Sequence, residues 1–109
     1  MKVGLHTRLR AGAEARYEDY HARVWPEVLA GMRKVGIRSW VIFRDGLDLF
    51  HYVECDDYDR AMAVLHEDPL DQRWQAEMAP LMEVAHDLSG SGSDRLKLIF
   101  DLDWTPARS

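Results

Sequence analysis

Hydrophobic and polar residues alternate along the start of the chain and then change to a helical spacing. Residues 3–9 carry their more apolar side chains at every second position, which predicts a first β-strand. From Ala13 the apolar positions recur at i, i+3, i+4 and i+7, the spacing of an amphipathic helix. Pro26 has no backbone N–H to donate, so it ends or kinks this helix and can open a second one, which stops near Gly36.

The middle and end of the chain predict a hairpin, two more helices and a final strand. Residues 39–43 and 49–54 are rich in aromatic and β-branched side chains and are separated by a short polar turn, which is the strongest hairpin signal in the chain. Two helical stretches follow, the second beginning after Pro69. Residues 96–102 then alternate with a period of two, which predicts the last strand.

The resulting order, β-α-β-β-α-β, is that of the ferredoxin-like fold, an α+β arrangement in which helices cover one face of an antiparallel sheet. We expect one domain over residues 1–104 and a flexible tail over residues 105–109. The other face of so small a sheet carries aromatic side chains and needs a cover, most simply a second copy of the chain. The sequence therefore predicts a homodimer.

Composition narrows the class of protein without naming a reaction. At 109 residues the chain has room for one domain, so any site must be built on its core. Its 14 basic and 19 acidic residues give a net charge of −5, which disfavours a nucleic-acid partner. A single cysteine, Cys55, excludes an internal disulfide and favours a reducing cytoplasm, and no apolar run is long enough to cross a membrane. We expect a soluble, cytoplasmic protein.

Sequence motifs for several enzyme classes are missing. None of the five histidines has a second histidine at the helical spacing of a metal site, and we predict no metal. A glycine-rich phosphate loop, a GxSxG elbow and a CxxC pair are also absent from the sequence. His6 and His51 fall on predicted strands, where either could face a cavity or the sheet interface.

The residues with the clearest chemical potential are Tyr17 and His21, which lie one turn apart on the inward stripe of the first helix. Two interpretations of His21 fit this position. It can be a core histidine bonded to a backbone carbonyl, or a general acid and base, since an imidazole titrates near pH ~6.5 and both gives and takes a proton at neutral pH. Flat side chains such as Trp40 and Trp74 can line a sugar site or simply fill the core.

Two motifs in register resemble one known family. The segment 17–27, YEDYHARVWPE, combines a tyrosine, a histidine four residues later and then Trp-Pro-Glu, and residues 72–74 read Gln-Arg-Trp. Together they resemble the two motifs of the L-rhamnose mutarotase family, and the order and spacing of elements agree over residues 1–103. The resemblance implies a ferredoxin-like dimeric α/β-barrel protein that interconverts the α and β anomers of a 6-deoxy-hexose without a cofactor.

The resemblance also assigns roles to individual residues. His21 matches the family's proton donor, Tyr17 a substrate-binding tyrosine, and Trp74 the first of a tryptophan pair that contacts the sugar. Two positions depart from the pattern. Trp40 stands where the family more often has a sugar-binding tyrosine, which exchanges a phenol for a bulkier indole donor, and Gln75 replaces the second tryptophan with a polar amide. We expect Trp40 and Gln75 to contact the substrate as well.

The residues leave other functions open. The same fold, aromatic wall and His21 would serve a cofactor-independent oxygenase acting on an aromatic substrate, or a non-catalytic small-molecule-binding module in which His21 is structural. For a mutarotase, Glu27, Glu54 and a bound water are unranked candidates for a second base. Arg73 is a candidate partner for a buried sugar hydroxyl, which needs a hydrogen bond.

Overall fold

The elements follow from the changes of period along the chain. In the computed structural model, which describes residues 1–85 and 92–103, every predicted helix and the hairpin form. The elements in chain order are β1 (Lys2–Leu9), α1 (Glu14–Ala22), α2 (Pro26–Lys34), β2 (Ile37–Asp45), β3 (Asp48–Cys55), α3 (Tyr58–Glu67), α4 (Pro69–Met78), a 3-10 turn (Ala79–Leu81), β4 (Met82–Val84) and β5 (Arg95–Leu96). None of the described helices is both long enough and apolar enough to span a bilayer. The tail predicted at 105–109 lies outside the described residues.

The prolines act as predicted at the helix starts, and the structure adds an aspartate cap. Pro26 is the first residue of α2, where its missing N–H costs nothing. The α3–α4 break falls at Asp68, whose side chain accepts a hydrogen bond from the backbone N–H of Leu70 at 2.9 Å. Pro69 then opens α4, so the two helices are separated by a single capped residue.

The sheet has the antiparallel strand order β2-β3-β1-β4, which confirms the ferredoxin-like α+β fold. In the β2–β3 hairpin Trp40 pairs with Val53 and Ile42 with His51, and the turn contains Gly46 at φ 60°. A bulge between residues 37 and 39 shifts the register of β2. Because of this register, Trp40 and His51 share the inner face of the sheet, against which the helices pack.

The last predicted strand is only partly formed. Residues 96–102 were expected to be a full strand, but pairing stops at Leu96, which lies opposite Gly4 of β1. Residues 97–102 form no further strand pairs with Val3 and Lys2 of β1. Side chains link this segment to β1 instead, because the Lys2 ammonium forms ion pairs with Asp101 and Asp103. The other end of the same β1 edge is taken by β4, through Arg8 and Leu9.

Two buried clusters fill the space between the sheet and the helices. One joins the early part of β1 to β3 and α3, around Leu5, Val53 and Tyr58. The other joins the end of β1 to α1, α2 and α4, around Leu49 and Trp74. A cavity opens along the inner face of the sheet, and its lining includes Tyr17, Trp74 and Met78 of the second cluster.

Candidate active site

A cavity of about 480 Å³ separates the inner face of the sheet from helices α1 and α4. Its volume falls within the usual range of small-molecule sites, ~300–1,000 Å³. The side chains that predominate in the lining are apolar or aromatic. All five residues predicted to form the site line this one cavity, namely Tyr17, His21, Trp40, Trp74 and Gln75.

His21 is held in one orientation by its own helix. Its Nδ1 lies 2.9 Å from the carbonyl oxygen of Tyr17, one turn earlier in α1. A carbonyl can only accept, so Nδ1 carries the hydrogen and Nε2 is the nitrogen left for a ligand in the cavity. The imidazole also stacks on the Tyr17 ring, with the ring centres 4.1 Å apart and an angle of 28° between the planes.

Burial tunes both groups of this pair. The low-polarity surroundings lower the pKa of His21 from its ordinary value of 6.5, and the hydrogen bond to the Tyr17 carbonyl opposes the shift in part. At neutral pH the imidazole is therefore uncharged and Nε2 is a proton acceptor. Burial raises the pKa of the Tyr17 phenol well above its usual range, so the hydroxyl stays protonated and can donate a hydrogen bond.

Trp74 lines the cavity and is the centre of an aromatic cluster. Its side chain is 4% exposed and presents edge-on contacts to His21 at 5.6 Å and to Trp25 at 5.2 Å between ring centres. Tyr20 makes a third perpendicular contact with Trp74 at 6.0 Å. The Arg73 guanidinium lies over the Trp25 ring, and Arg73 is not among the described lining residues, so it does not fill the predicted role of a partner to the sugar.

The floor of the cavity is polar where Trp40, His51 and Thr7 meet. The sequence leaves the direction of His51 open and does not single out Thr7. The Trp40 indole Nε1 lies 3.0 Å from Nδ1 of His51, and Nε2 of His51 lies 2.9 Å from the hydroxyl of Thr7. His6, the other strand histidine, faces the opposite side of the sheet and lies 2.8 Å from an Asp48 carboxylate oxygen. Parity along the strands is the signal that separates the two histidines, because only His51 shares the face of the buried β3 residues.

The cavity holds few ionisable groups. Within the described residues the lining contributes no carboxylate, lysine or arginine, and its titratable side chains are Tyr17, His21, His51 and His66. Glu54 lies on the outer face, where it accepts a hydrogen bond from the Tyr52 hydroxyl at 2.8 Å, and Glu27 is exposed on α2. Neither carboxylate is therefore placed to act as the second base. The described part of the chain also contains no group of three or more His, Cys, Asp or Glu residues placed to hold a metal ion.

Comparison with known sequences decides the family. The L-rhamnose mutarotase family matches residues 2–102 of the chain. This protein belongs to that family. Among curated relatives, the L-rhamnose mutarotase of Bacillus subtilis is 37% identical over 95 residues, which cover 81% of this chain and 88% of the relative. That of Opitutus terrae is 34% identical over 97 residues, covering 87% of this chain and 91% of the relative.

Solved structures agree on the fold of the family. The crystal structure of the L-rhamnose mutarotase of Formosa agariphila matches with a TM-score of 0.78 at 23% identity, covering 94% of this chain and 99% of the other. Tetracenomycin F2 cyclase of Streptomyces glaucescens, a type-II polyketide cyclase, matches with a TM-score of 0.63 at 17% identity, covering 96% and 97%. The sequence match confirms the family predicted from the two motifs, and the solved structures confirm the α+β fold of the chain.

Proposed function

We propose that this protein is a mutarotase that interconverts the α and β anomers of L-rhamnose or a closely related 6-deoxy-hexose, with His21 as its acid and base. The observation that carries the proposal is the bond from Nδ1 of His21 to the Tyr17 carbonyl, which leaves Nε2 as the proton acceptor in a cavity of sugar size. The family relationship supplies the substrate class.

The reaction needs one proton to move between two sugar oxygens. Nε2 of His21 accepts the proton of the anomeric hydroxyl, the bond between C1 and the ring oxygen breaks, and C1 becomes an aldehyde. The imidazolium returns the proton to the former ring oxygen. After the aldehyde rotates, the same steps run in reverse on its other face and close the other anomer. A single uncharged imidazole with a free Nε2 suffices for these proton transfers, and no carboxylate is required as a second base.

The remaining lining residues suit a sugar. An aromatic wall such as Trp74 packs against the C–H face of a pyranose, while the Tyr17 hydroxyl and the Gln75 amide offer hydrogen bonds to its hydroxyls. Because mutarotation already proceeds in water, one acid/base group contributing ~10²- to 10⁴-fold, about 3 to 5 kcal/mol of barrier, makes a useful catalyst.

The proposal includes a homodimer. The outer face of the sheet exposes Val41, Phe43 and Phe50, and the chain beyond β5 adds further exposed apolar side chains in residues 98–102. An apolar surface of this kind typically marks a protein interface, and a second copy with twofold symmetry is the simplest cover. The cytoplasm is the compartment we assign to it, because its one cysteine, Cys55, is a free, buried thiol.

Exchange spectroscopy on the anomeric protons tests the activity directly. Protein is added to equilibrated L-rhamnose, L-fucose and L-mannose, and the rate of α/β exchange is measured for each. We expect faster exchange for at least L-rhamnose. A His21→Asn protein purified in the same way controls for a host mutarotase in the preparation. If the wild-type protein accelerates none of the sugars, the proposal is wrong, and oxygen uptake with a planar aromatic substrate becomes the next assay.

A further inference from the structure

Three polar side chains cross the cavity floor on three neighbouring strands, and we call them the polar strap: Trp40 on β2, His51 on β3 and Thr7 on β1. The links are 3.0 Å from Trp40 Nε1 to His51 Nδ1 and 2.9 Å from His51 Nε2 to the Thr7 hydroxyl. Thr7 is 1% exposed and His51 8% exposed. All three side chains line the cavity.

The chemistry of the three groups fixes the direction of the hydrogen bonds. An indole N–H can only donate, so His51 Nδ1 must be the acceptor of the bond from Trp40. His51 Nε2 then carries the ring hydrogen and donates it to the oxygen of Thr7. A hydroxyl that accepts in this way still has its own proton to donate. The strap therefore runs from Trp40 through His51 and ends on a hydroxyl donor at Thr7.

The strap follows from the register of the strands. His51 lies opposite Leu5 on β1, and Thr7 is the next residue of β1 on that face. Trp40 lies opposite Val53, the next residue of β3 on the inner face after His51. Both bonds are thus diagonal contacts between strands, which long and aromatic side chains can reach.

Core packing alone does not account for the strap. The residues beside it on the inner face, such as Leu5, Leu49 and Val53, are fully buried and apolar. Aliphatic side chains at the strap positions would continue this packing, whereas buried polar groups cost free energy unless each is bonded. The polar atoms lie where the sheet faces the cavity, so a ligand there is the partner that a polar floor would serve.

We propose that Thr7 is a substrate-recognition residue, whose hydroxyl donates a hydrogen bond to an oxygen of the bound sugar, and that His51 and Trp40 are positioning residues that aim it. The inference rests on the proposed function, because it takes the ligand to be a sugar. Resemblance places a sugar-binding tyrosine at position 40 in much of the family. Here the indole N–H of Trp40 is directed at His51, so the hydrogen bond from the floor passes to Thr7.

The proposal separates binding from chemistry. Thr7 lies on the sheet, whereas the acid/base residue His21 lies on α1 in the cavity wall. A hydrogen bond from Thr7 therefore holds the sugar at a point away from the reacting proton, and it is made equally in the ground state and the transition state. Removing such a bond raises KM and leaves kcat nearly unchanged. We expect Thr7→Val, which keeps the shape of the side chain, to raise KM for L-rhamnose by about 3- to 10-fold. Thr7→Ser, which keeps the hydroxyl, is the matched control and should stay near the wild-type KM.

The positioning role predicts that changes along the strap do not add. His51→Phe removes both ring nitrogens, so the Thr7 hydroxyl loses the hydrogen bond that orients it. We expect this variant to raise KM about as much as Thr7→Val does. The KM of the double variant should be no higher than that of Thr7→Val alone. Trp40→Phe, which removes the indole N–H and replaces the indole with a smaller ring, should have a smaller effect in the same direction. Additive losses in His51→Phe and Thr7→Val would overturn the positioning role, and thermal melting of each variant identifies any that fails to fold.

A spectroscopic measurement on the wild-type protein keeps the proposal testable if a variant does not fold. The ¹⁵N shifts of the His51 ring distinguish the two neutral tautomers, and the strap requires the hydrogen on Nε2. A ring with its hydrogen on Nδ1 overturns the arrangement. In the kinetic experiment, the wild-type protein can be active while Thr7→Val has the same KM. That result refutes the recognition role of Thr7 and leaves the proposed function standing. A wild-type protein with no activity on any sugar instead refutes the proposed function.

Discussion

The two sides of the central sheet are built from the same alternating strands but are completed differently. On the inner side, Leu5, Leu49 and Val53 have no exposed surface, because helices of the same chain cover them. On the outer side, Phe43 and Phe50 keep 64% and 41% of their surface exposed. In this chain the helices cover one face of the sheet only, and the cavity lies on that covered face.

The largest expected difference between the two sides of the sheet is in the rate of anomer exchange after a histidine substitution on each side. His21→Asn keeps a donor for the Tyr17 carbonyl but removes Nε2, so the rate of anomer exchange should fall by ~10²- to 10⁴-fold with the fold intact. His6→Asn changes a histidine on the outer side and should leave the exchange rate within about twofold of wild type. Exchange spectroscopy measures both, and circular dichroism checks the fold. Equal losses in the two variants would contradict the assignment of His21.

Shortening an apolar side chain should lower the free energy of unfolding more on the inner side of the sheet than on the outer side. Leu5→Ala removes a fully buried side chain between the sheet and α3, and we expect it to lower the free energy of unfolding by about 2 to 5 kcal/mol. Val41→Ala, on the exposed outer side, should cost less than about 1 kcal/mol at the same protein concentration. Denaturant titration gives both values. A larger loss in Val41→Ala would mean that the outer face is buried more tightly than the inner one.

The proposed dimer is tested on the outer side alone. Phe43→Asp places a charge in the exposed apolar surface, and in a twofold dimer the change occurs in both copies. We expect the dissociation constant to rise by about tenfold or more, with far-ultraviolet circular dichroism unchanged. Sedimentation velocity across a concentration series measures the change. If the wild-type protein sediments as a monomer throughout the series, the homodimer is wrong.

The smallest expected effect is a pH dependence confined to the inner side. The pKa of His21 is lowered in the folded protein, so as the pH falls through 6.5 the unfolded chain binds the proton first. The contribution of His21 to stability is therefore present above pH 6.5 and is lost as the pH falls toward the lower pKa of the folded state. The exchange rate should fall over the same window, because Nε2 must be unprotonated.

Comparison of His21→Asn with wild type isolates this pH dependence. The acid-side slope of stability should be shallower in the variant by the contribution of one histidine. An identical slope would show that groups other than His21 produce the acid sensitivity.

Much of the site could be read from local patterns. The helical spacing of Tyr17 and His21 put them on one face of α1, and the cavity holds both. Trp40, Trp74 and Gln75 were placed by the resemblance, and they too line the cavity, although their roles stay predictions. Glu54 shows the limit of the method: its type suited a base, but its parity on β3 puts it on the outer face.

The sequence by itself determined the order of elements, because hydrophobic periods and helix-start signals act over a few neighbouring residues. Its two motifs indicated the family, and through that resemblance five residues of the cavity wall. The tertiary structure decided the rest. The bonds of the polar strap depend on how β1 pairs with the β2–β3 hairpin, and β5 ends at Leu96 although the alternating pattern continues to residue 102. These outcomes are set by cross-strand pairing, which no local period encodes.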